Sequence, residues 1–216
     1  MRRKFENDKP SDESSEVTEA KSIVINMPDP EIRTVAIYGD ISEDLAKEVM
    51  SGLWYLNFTA KTEQLTDPED ISSEVEEVMQ PIEMVISTNG GNADDMFAIY
   101  DAMRIIRKEV EIETLGIGKV MSAGVLLLAA GTKGKRKIGK HCRIMMHSVI
   151  GGSVGPMHQL DNEMKEIKYI QELHIKALCE ETKMTEKQLR ALLKKKVNIY
   201  LTAEEAVEYG IADVIV

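Results

Sequence analysis

Residues 118–131 organise the rest of the chain: Gly118-Lys119-Val120-Met121-Ser122-Ala123-Gly124-Val125-Leu126-Leu127-Leu128-Ala129-Ala130-Gly131. Ala123 to Ala130 carry no polar side chain, which predicts a helix buried on every side. Ser122 stands where this helix would begin, and serine is a common N-cap. The first N–H groups of a helix are also unpaired and partly positive, so a hydroxyl there would suit a nucleophile beside an oxyanion site. The segment alone leaves both roles open.

Strands and helices alternate outward from this segment. Apolar, β-branched runs predict strands, and apolar residues at helical spacing predict helices. The predicted strands are 34–38, 84–87, 112–117 and 144–146, and the predicted helices start after Ser42, at Asn92, near Met157, near Thr185 and at Thr202. This alternation predicts an α/β fold with repeated βαβ units around a mainly parallel sheet. The polar stretch 59–80 is expected to form an acidic surface excursion, partly helical.

Composition narrows the class of protein. The 216 residues carry a net charge of −10, which argues against a general nucleic-acid surface. Two cysteines do not make a disulfide framework, and no apolar run approaches the length of a membrane span. A cytoplasmic protein without a metal or cofactor is expected. Residues 1–22 are polar and predict a flexible N-terminal arm or leader, with the folded domain over 23–216.

Two further loops join Ser122 at the ends of predicted strands, where sites form in such folds. Asn89-Gly90-Gly91 predicts a tight turn that lets another group approach a backbone N–H. His147 ends a strand and would supply the base that a serine nucleophile needs. Cys142 is a poor rival because its side chain would point to the opposite face of that strand. Three other groups are expected to be solvated or merely packed: His141, the helical histidines His158 and His174, and the basic turn 133–137.

These motifs together resemble the proteolytic subunit of the Clp protease (ClpP), a serine peptidase family. The resemblance rests on Ser122 between Gly118 and Gly124, on His147 placed 25 residues later, and on the Asn89-Gly90-Gly91 loop. It also includes the turn 130–136, Gly151-Gly152 and the segment 203–213, and it covers about residues 32–216.

The resemblance implies a ClpP/crotonase-like fold and roles for particular residues. Ser122 would be the nucleophile, His147 the general base, and the N–H groups of Gly91 and Ala123 the oxyanion hole. Substrate would lie extended between two segments, Asn92-Ala93 and Ile150-Gly151. The long helix would protrude as a handle joining two stacked heptameric rings, and a AAA+ unfoldase would deliver unfolded polypeptides.

The third member of the catalytic triad departs from the family pattern. Asn198 stands where the family carries an aspartate, and no acidic residue occurs between Lys187 and Ala203. Asparagine can orient a histidine but cannot stabilise its protonated form by charge. A catalytically weak or silent ring subunit therefore stays open as an alternative. A crotonase-type acyl-CoA enzyme is a second alternative, although it would not need a serine–histidine pair.

Overall fold

The computed structural model describes residues 32–67, 69–70, 72–194 and 197–216. The predicted arm over 1–22 and the start of the domain at residue 23 lie outside the described residues. The strands are β1 (Thr34–Ile41), β2 (Lys61–Leu65), β3 (Val75–Met79), β4 (Ile82–Gly91), β5 (Ile112–Met121), β6 (Arg136–Ile138), β7 (Arg143–Met146), β8 (Ile199–Leu201) and β9 (Val214–Ile215). The helices are α1 (Glu43–Phe58), α2 (Ala93–Ile106), α3 (Ala123–Ala129), α4 (Met157–Glu181), α5 (Glu186–Leu193) and α6 (Ala203–Glu208).

Seven strands form one central sheet. Its main path runs β1-β4-β5-β6-β9, and all pairs along this path are parallel. β7 pairs with β5 in parallel beyond the end of β6, and β8 runs antiparallel to β7. The predicted α/β architecture with a mainly parallel sheet is confirmed. The ends of β4, β5 and β7 therefore lie at one edge, where the candidate loops begin.

Helices α1 and α2 begin at the residues that the sequence predicts. The hydroxyl of Ser42 accepts a hydrogen bond from the N–H of Leu45, which caps α1. The side chain of Asn92 accepts hydrogen bonds from the N–H groups of Asp94 and Asp95, which caps α2. The tight turn predicted at Asn89-Gly90-Gly91 is instead the end of β4, where Gly90 pairs with Asp40 and Gly91 with Ile41 of β1; this end of the strand is called the Asn89-Gly90-Gly91 loop, or glycine loop, below. Asn92 fixes the direction in which the chain leaves it.

The excursion between α1 and β4 is a β-hairpin, so the prediction of partial helix there is wrong. β2 and β3 pair only with each other, antiparallel, from Lys61 with Met79 to Leu65 with Val75. Their side chains are mostly exposed, as the acidic composition requires. Cross-strand contacts such as the 2.6 Å ion pair between Lys61 and Glu77 favour the hairpin over a helix.

Helix α3 is buried along its whole length, as the sequence predicts. α4 is much longer, and the burial of its residues differs between its two ends. Its first ten residues are exposed apart from half-buried Leu160, whereas its last eight residues hold every buried position, from His174 to Glu181. Neither α4 nor any other helix in the described part of the chain is long and apolar enough to cross a membrane.

A buried ion cluster anchors the C-terminal end of α4. Glu181 is 1% exposed, and its carboxylate accepts hydrogen bonds from Arg107, Lys133 and the hydroxyl of Tyr100. Burial opposes ionisation, but the hydrogen bonds from Arg107 and Lys133 hold the pKa of Glu181 below its usual value. Arg136 is buried too and pairs with Asp213. The expectation of a merely solvated turn at 133–137 is therefore wrong, because two of its cations serve this packing.

Candidate active site

Ser122 has an unusual backbone conformation at the start of α3. Its φ is 53° and its ψ is −121°, and it is the one non-glycine residue with positive φ among those described. Its side chain makes no capping hydrogen bond, so the interpretation as a side-chain cap is wrong. Its own N–H donates to the carbonyl of Met145 at 2.7 Å, which holds the turn between two strands. A strained backbone of this kind is concentrated at functional sites, where the surrounding structure enforces it.

The Asn89-Gly90-Gly91 loop packs directly against this turn. A Cβ on Gly90 would lie 2.5 Å from the Cβ of Ser122 and 3.1 Å from the backbone nitrogen of Ala123. A Cβ on Gly91 would lie 2.1 Å from the carbonyl oxygen of Ile41. Both positions therefore exclude any side chain. The glycines bring the backbone of this loop beside the serine.

Buried Thr88 holds the glycine loop in place. Its hydroxyl donates to the carbonyl of Gly39 and accepts the N–H of Gly90 at 2.9 Å. On its other side, a Cβ on Gly124 would lie 2.3 Å from the methyl group of Thr88. Gly124 thus allows α3 to approach β4 closely. Gly90 and Gly124 thus let β4 pack closely against the segment around Ser122, which explains why glycine is needed at both positions.

His147 follows the last residue of β7 and is half-buried. Its Nδ1 lies 2.6 Å from the carbonyl oxygen of Ser148. Because a carbonyl oxygen only accepts hydrogen bonds, Nδ1 carries the proton in this arrangement. In the neutral form of the ring, Nε2 is then the acceptor. No hydrogen bond joins Ser122 to His147 in the described structure, and such contacts are often long before substrate binds.

Most of the predicted site residues line one open cleft of about 550 Å³. Its lining includes, from the sequence predictions, Gly91, Asn92, Ala93, Ser122, Ala123, His147 and Ile150. Two predicted residues lie outside this lining, Gly151 and Asn198. The backbone at Gly151 packs on α4 instead, since a Cβ there would lie 2.6 Å from Ile167.

Asn198 directly precedes β8, the strand that pairs with β7, but it does not line the cleft. The antiparallel ladder ends with Met146 paired to Ile199, and His147 and Asn198 are the next residues beyond this end. The side chain of Asn198 is nevertheless exposed. The hydrogen-bond partner of Nδ1 of His147 is the carbonyl of Ser148 rather than Asn198. The orienting role of Asn198 stays a prediction.

His174 is a cleft residue that the sequence reasoning missed, since it was assigned to the surface or to packing. It is 8% exposed and lines the same cleft as Ser122 and His147. Burial, and to a smaller extent the charge of His147, lowers the pKa of His174 to about 4, so it is neutral near pH 7. Its neighbours Ile167, Ile170 and Leu178 recur at helical spacing. A single histidine within that apolar stripe was the available signal.

Cys142, His141 and His158 were not expected to take part in catalysis, and none of them lines the cleft. Cys142 is buried, and burial raises the pKa of its thiol to about 11, which leaves it unreactive near neutral pH. His141 and His158 are exposed.

Comparisons with known proteins identify the family of the chain. The Clp protease family model matches residues 71–216. A protein called ATP-dependent Clp protease proteolytic subunit 1 from Prochlorococcus marinus is 34% identical over 183 residues, which are 85% of this chain and 83% of that protein. A protein called ATP-dependent Clp protease proteolytic subunit 2 from another Prochlorococcus marinus strain is 31% identical over 81% of this chain and 77% of that protein. A protein of the same name from Corynebacterium jeikeium is 38% identical over 61% of this chain and 62% of that protein. The match decides against the acyl-CoA alternative, and the chain belongs to the Clp protease family.

Proposed function

We propose that the chain is a serine-type endopeptidase that works as the proteolytic subunit of an ATP-dependent Clp-like protease. The observation that carries the proposal is the conformation of Ser122. A serine at positive φ, with a hydroxyl free of capping bonds, shares its cleft with a half-buried histidine. Strain of this kind is kept where it aims a reactive group.

Catalysis would begin with proton transfer from Ser122 to His147. As the Oγ of Ser122 attacks the substrate carbonyl, Nε2 of His147 takes its proton, while Nδ1–H stays bonded to the carbonyl of Ser148. The imidazolium then gives its proton to the leaving amine, and an acyl-serine ester remains. Water, deprotonated by the same nitrogen, hydrolyses this ester and restores the serine.

Two backbone N–H groups would stabilise the negative charge on the substrate oxygen. Ala123 is the first residue of α3, so its N–H has no partner within the helix. Gly91 lines the same cleft as Ser122. Removing one donor of such a pair typically costs about 10²–10³ in kcat. The extended substrate would run between Asn92-Ala93 and the Ile150-Gly151 segment, whose position is tied to α4 by a 2.7 Å hydrogen bond from Val149 to Gln171.

Family membership also supports a proposal for assembly and partners. We infer two stacked heptameric rings, joined through the exposed first half of α4, in the cytoplasm. The sequence contains no complete phosphate-binding loop, so ATP would be used by a separate AAA+ unfoldase that feeds unfolded polypeptides into the chamber. Ring assembly is tested by the mass of the purified full-length chain in solution.

A fluorophosphonate probe tests the chemistry, because it reacts with serines activated by a base. Wild-type protein should be labelled at Ser122 and should hydrolyse unfolded casein-like polypeptides. Ser122→Ala should lose both properties, and Ser148→Ala, which changes an exposed serine in the same cleft, should keep the labelling. Absence of labelling in the assembled wild-type protein would refute the peptidase.

A second candidate is a catalytically silent ring subunit. It is favoured by the exposed amide at Asn198 and by the unformed hydrogen bond between Ser122 and His147. This alternative predicts normal rings without labelling of Ser122, so the same experiment separates the two.

A further inference from the structure

The segment between β7 and α4 is held by few hydrogen bonds. Residues 148–155 belong to no strand or helix, and all of them except half-buried Val149 are exposed. Among the described residues, one hydrogen bond joins the backbone of this segment to another element: the N–H of Val149 donates to Oε1 of Gln171 on α4 at 2.7 Å. The path of the chain as it leaves His147 therefore depends on this bond.

Making this bond leaves the amide nitrogen of Gln171 without a partner. Because the N–H of Val149 can only donate, the side chain must present its carbonyl oxygen to it. Nε2 of Gln171 is then buried, with no hydrogen-bond partner among the described residues. Nearly all buried polar side-chain atoms in native proteins have a partner, and a methionine would avoid this cost. The cost calls for a role of Oε1 that a methionine could not perform.

The peptide unit between Ser148 and Val149 joins Gln171 to His147. This unit carries both the N–H that donates to Gln171 and the C=O that lies 2.6 Å from Nδ1 of His147. The described peptide bonds are all trans, and in a planar trans peptide the N–H and the C=O point in opposite directions. Holding the N–H on Gln171 thus aims the C=O at His147. A continuous chain of hydrogen bonds runs from α4 to the imidazole, and each bond polarises the next.

We propose that Gln171 is the positioning residue for His147 and acts through this peptide unit. The proposal rests on the peptidase function proposed above, in which Nδ1–H of His147 stays bonded to the carbonyl of Ser148 during proton transfer. The base is then oriented from α4, whereas the family resemblance assigns that role to position 198. Asn198 is exposed, and in the described structure the partner of Nδ1 is the carbonyl of Ser148.

Replacing Gln171 by methionine removes its hydrogen bonds and leaves the other charged groups around His147 unchanged. His174 lines the cleft and is neutral near pH 7. The charged residues that line the cleft, or the small cavity beside Ser148 and Gln171, are Asp40, Asp94, Arg190 and Lys194. A change in the pH dependence of this variant can therefore be assigned to the chain of hydrogen bonds.

Two substitutions in the full-length, assembled protein test this role. Gln171→Met removes the acceptor at similar size, and Gln171→Glu keeps an oxygen acceptor for the N–H of Val149. In Gln171→Met, kcat for a fluorogenic peptide should fall about tenfold to a hundredfold with little change in KM, because the base is misaligned for proton transfer. Gln171→Glu should keep kcat within about threefold of wild type, since the acceptor is retained. Lys176→Met, an exposed change to methionine on the same helix, should match wild type.

The pH dependence of fluorophosphonate labelling at Ser122 separates positioning from general damage, and it requires no turnover of a peptide. Without the aimed carbonyl, the protonated imidazole of His147 loses an acceptor for its Nδ1–H and becomes less stable. The acid limb of the labelling rate should therefore move down by about one pH unit in Gln171→Met, the value of one net hydrogen bond. In Gln171→Glu it should stay at or above its wild-type position.

A Gln171→Met protein with wild-type kcat and labelling would overturn the inference and leave the peptidase intact. A loss of activity with an unmoved acid limb would also overturn it, as would a rise in KM at unchanged kcat, which would indicate support of the cleft wall alone. If Gln171→Met does not assemble, Gln171→Glu decides: rapid labelling with the limb at or above wild type supports the role, and lost labelling contradicts it. An assembled wild-type protein that is not labelled removes the proposed function, and this inference with it.

Discussion

The backbone of Gly90 touches the side chain of Ser122 so closely that no Cβ fits between them. A methyl group at position 90 would lie 2.5 Å from the Cβ of Ser122 and 2.9 Å from the carbonyl oxygen of Met121. Two loops that are distant in the sequence are thereby fixed relative to each other. The position of Ser122 therefore depends on the lack of a side chain at residue 90.

Gly90→Ala should therefore disable the site while the fold survives. The added methyl group pushes Ser122 and Ala123 away from the glycine loop, and displacements of about 1 Å at a reacting group cost on the order of 10² in rate. The measurement is kcat/KM for a fluorogenic peptide. Gly134→Ala is the matched control, since Gly134 also has a positive φ of 86° but has open space around it. Equal losses in both variants would mean that backbone strain, not the contact with Ser122, is responsible.

Asn198→Ala separates two possible orienting groups for His147. Because the carbonyl of Ser148 already accepts the Nδ1 proton and the Asn198 side chain is exposed, we expect kcat to stay within about threefold of wild type. The measurement is peptide hydrolysis at saturating substrate. A fall of tenfold or more would show that the amide orients the histidine during turnover, as the resemblance to the family predicts. Asn198→Asp provides the comparison, because only a carboxylate would stabilise the imidazolium by charge.

His174 should make the protein less stable in acid. Its pKa is lowered to about 4 from an ordinary 6.5, so the unfolded chain binds this proton at a higher pH than the folded protein does. The free energy of unfolding then falls as pH decreases from 6.5 towards 4, by at most about 3 kcal/mol from this group. Urea unfolding at pH 7 and pH 4 measures the effect. His174→Leu should lose less stability over this range than wild type, whereas His158→Leu, an exposed histidine on the same helix, should behave like wild type.

Glu181→Ala should destabilise the protein strongly, because it leaves the guanidinium of Arg107 without its carboxylate in a largely buried site. Breaking one side of a buried ion pair typically costs about 3–5 kcal/mol. The midpoint of urea or thermal unfolding measures it. Glu77→Ala removes the exposed partner of Lys61 and should cost about 1 kcal/mol or less. Similar losses of unfolding free energy in the two variants would mean that the buried ion pairs of Glu181 stabilise the fold no more than an exposed ion pair does.

Elements whose apolar residues follow a regular pattern were predicted from the sequence, because that pattern reflects which side of each element is buried. The all-apolar run after Ser122, the centres of β4 and β7, and the cap at Asn92 each follow from local rules, although β4 continues past the predicted end at Ser87 to Gly91. The stretch 59–80 has no such period. Its strands bury little and pair only with each other, so only the cross-strand contacts determine them.

Only the site residues that belong to sequence motifs were predicted. Ser122, His147 and the glycine loop lie at strand ends, and parallel strands bring those ends to one edge. His174 arrives from α4, a helix that packs against α3 over a long sequence separation, and no local pattern shows which cavity a helix face will border. The position of the Asn198 side chain likewise depends on how β8 pairs with β7.

The exposed hairpin made by β2 and β3 is separate from the central sheet. Where the chain leaves and re-enters the rest of the domain, the N–H of Gln80 donates to the carbonyl of Ala60 at 2.7 Å, so the two ends of the hairpin excursion already meet. The central sheet continues from α1 to β4 without using either hairpin strand. Evolution can lengthen, shorten or replace residues 61–79 at little thermodynamic cost, since closing a loop of different length changes stability only slowly. Changes in this stretch should therefore leave undisturbed the edge of the central sheet that carries Ser122 and His147.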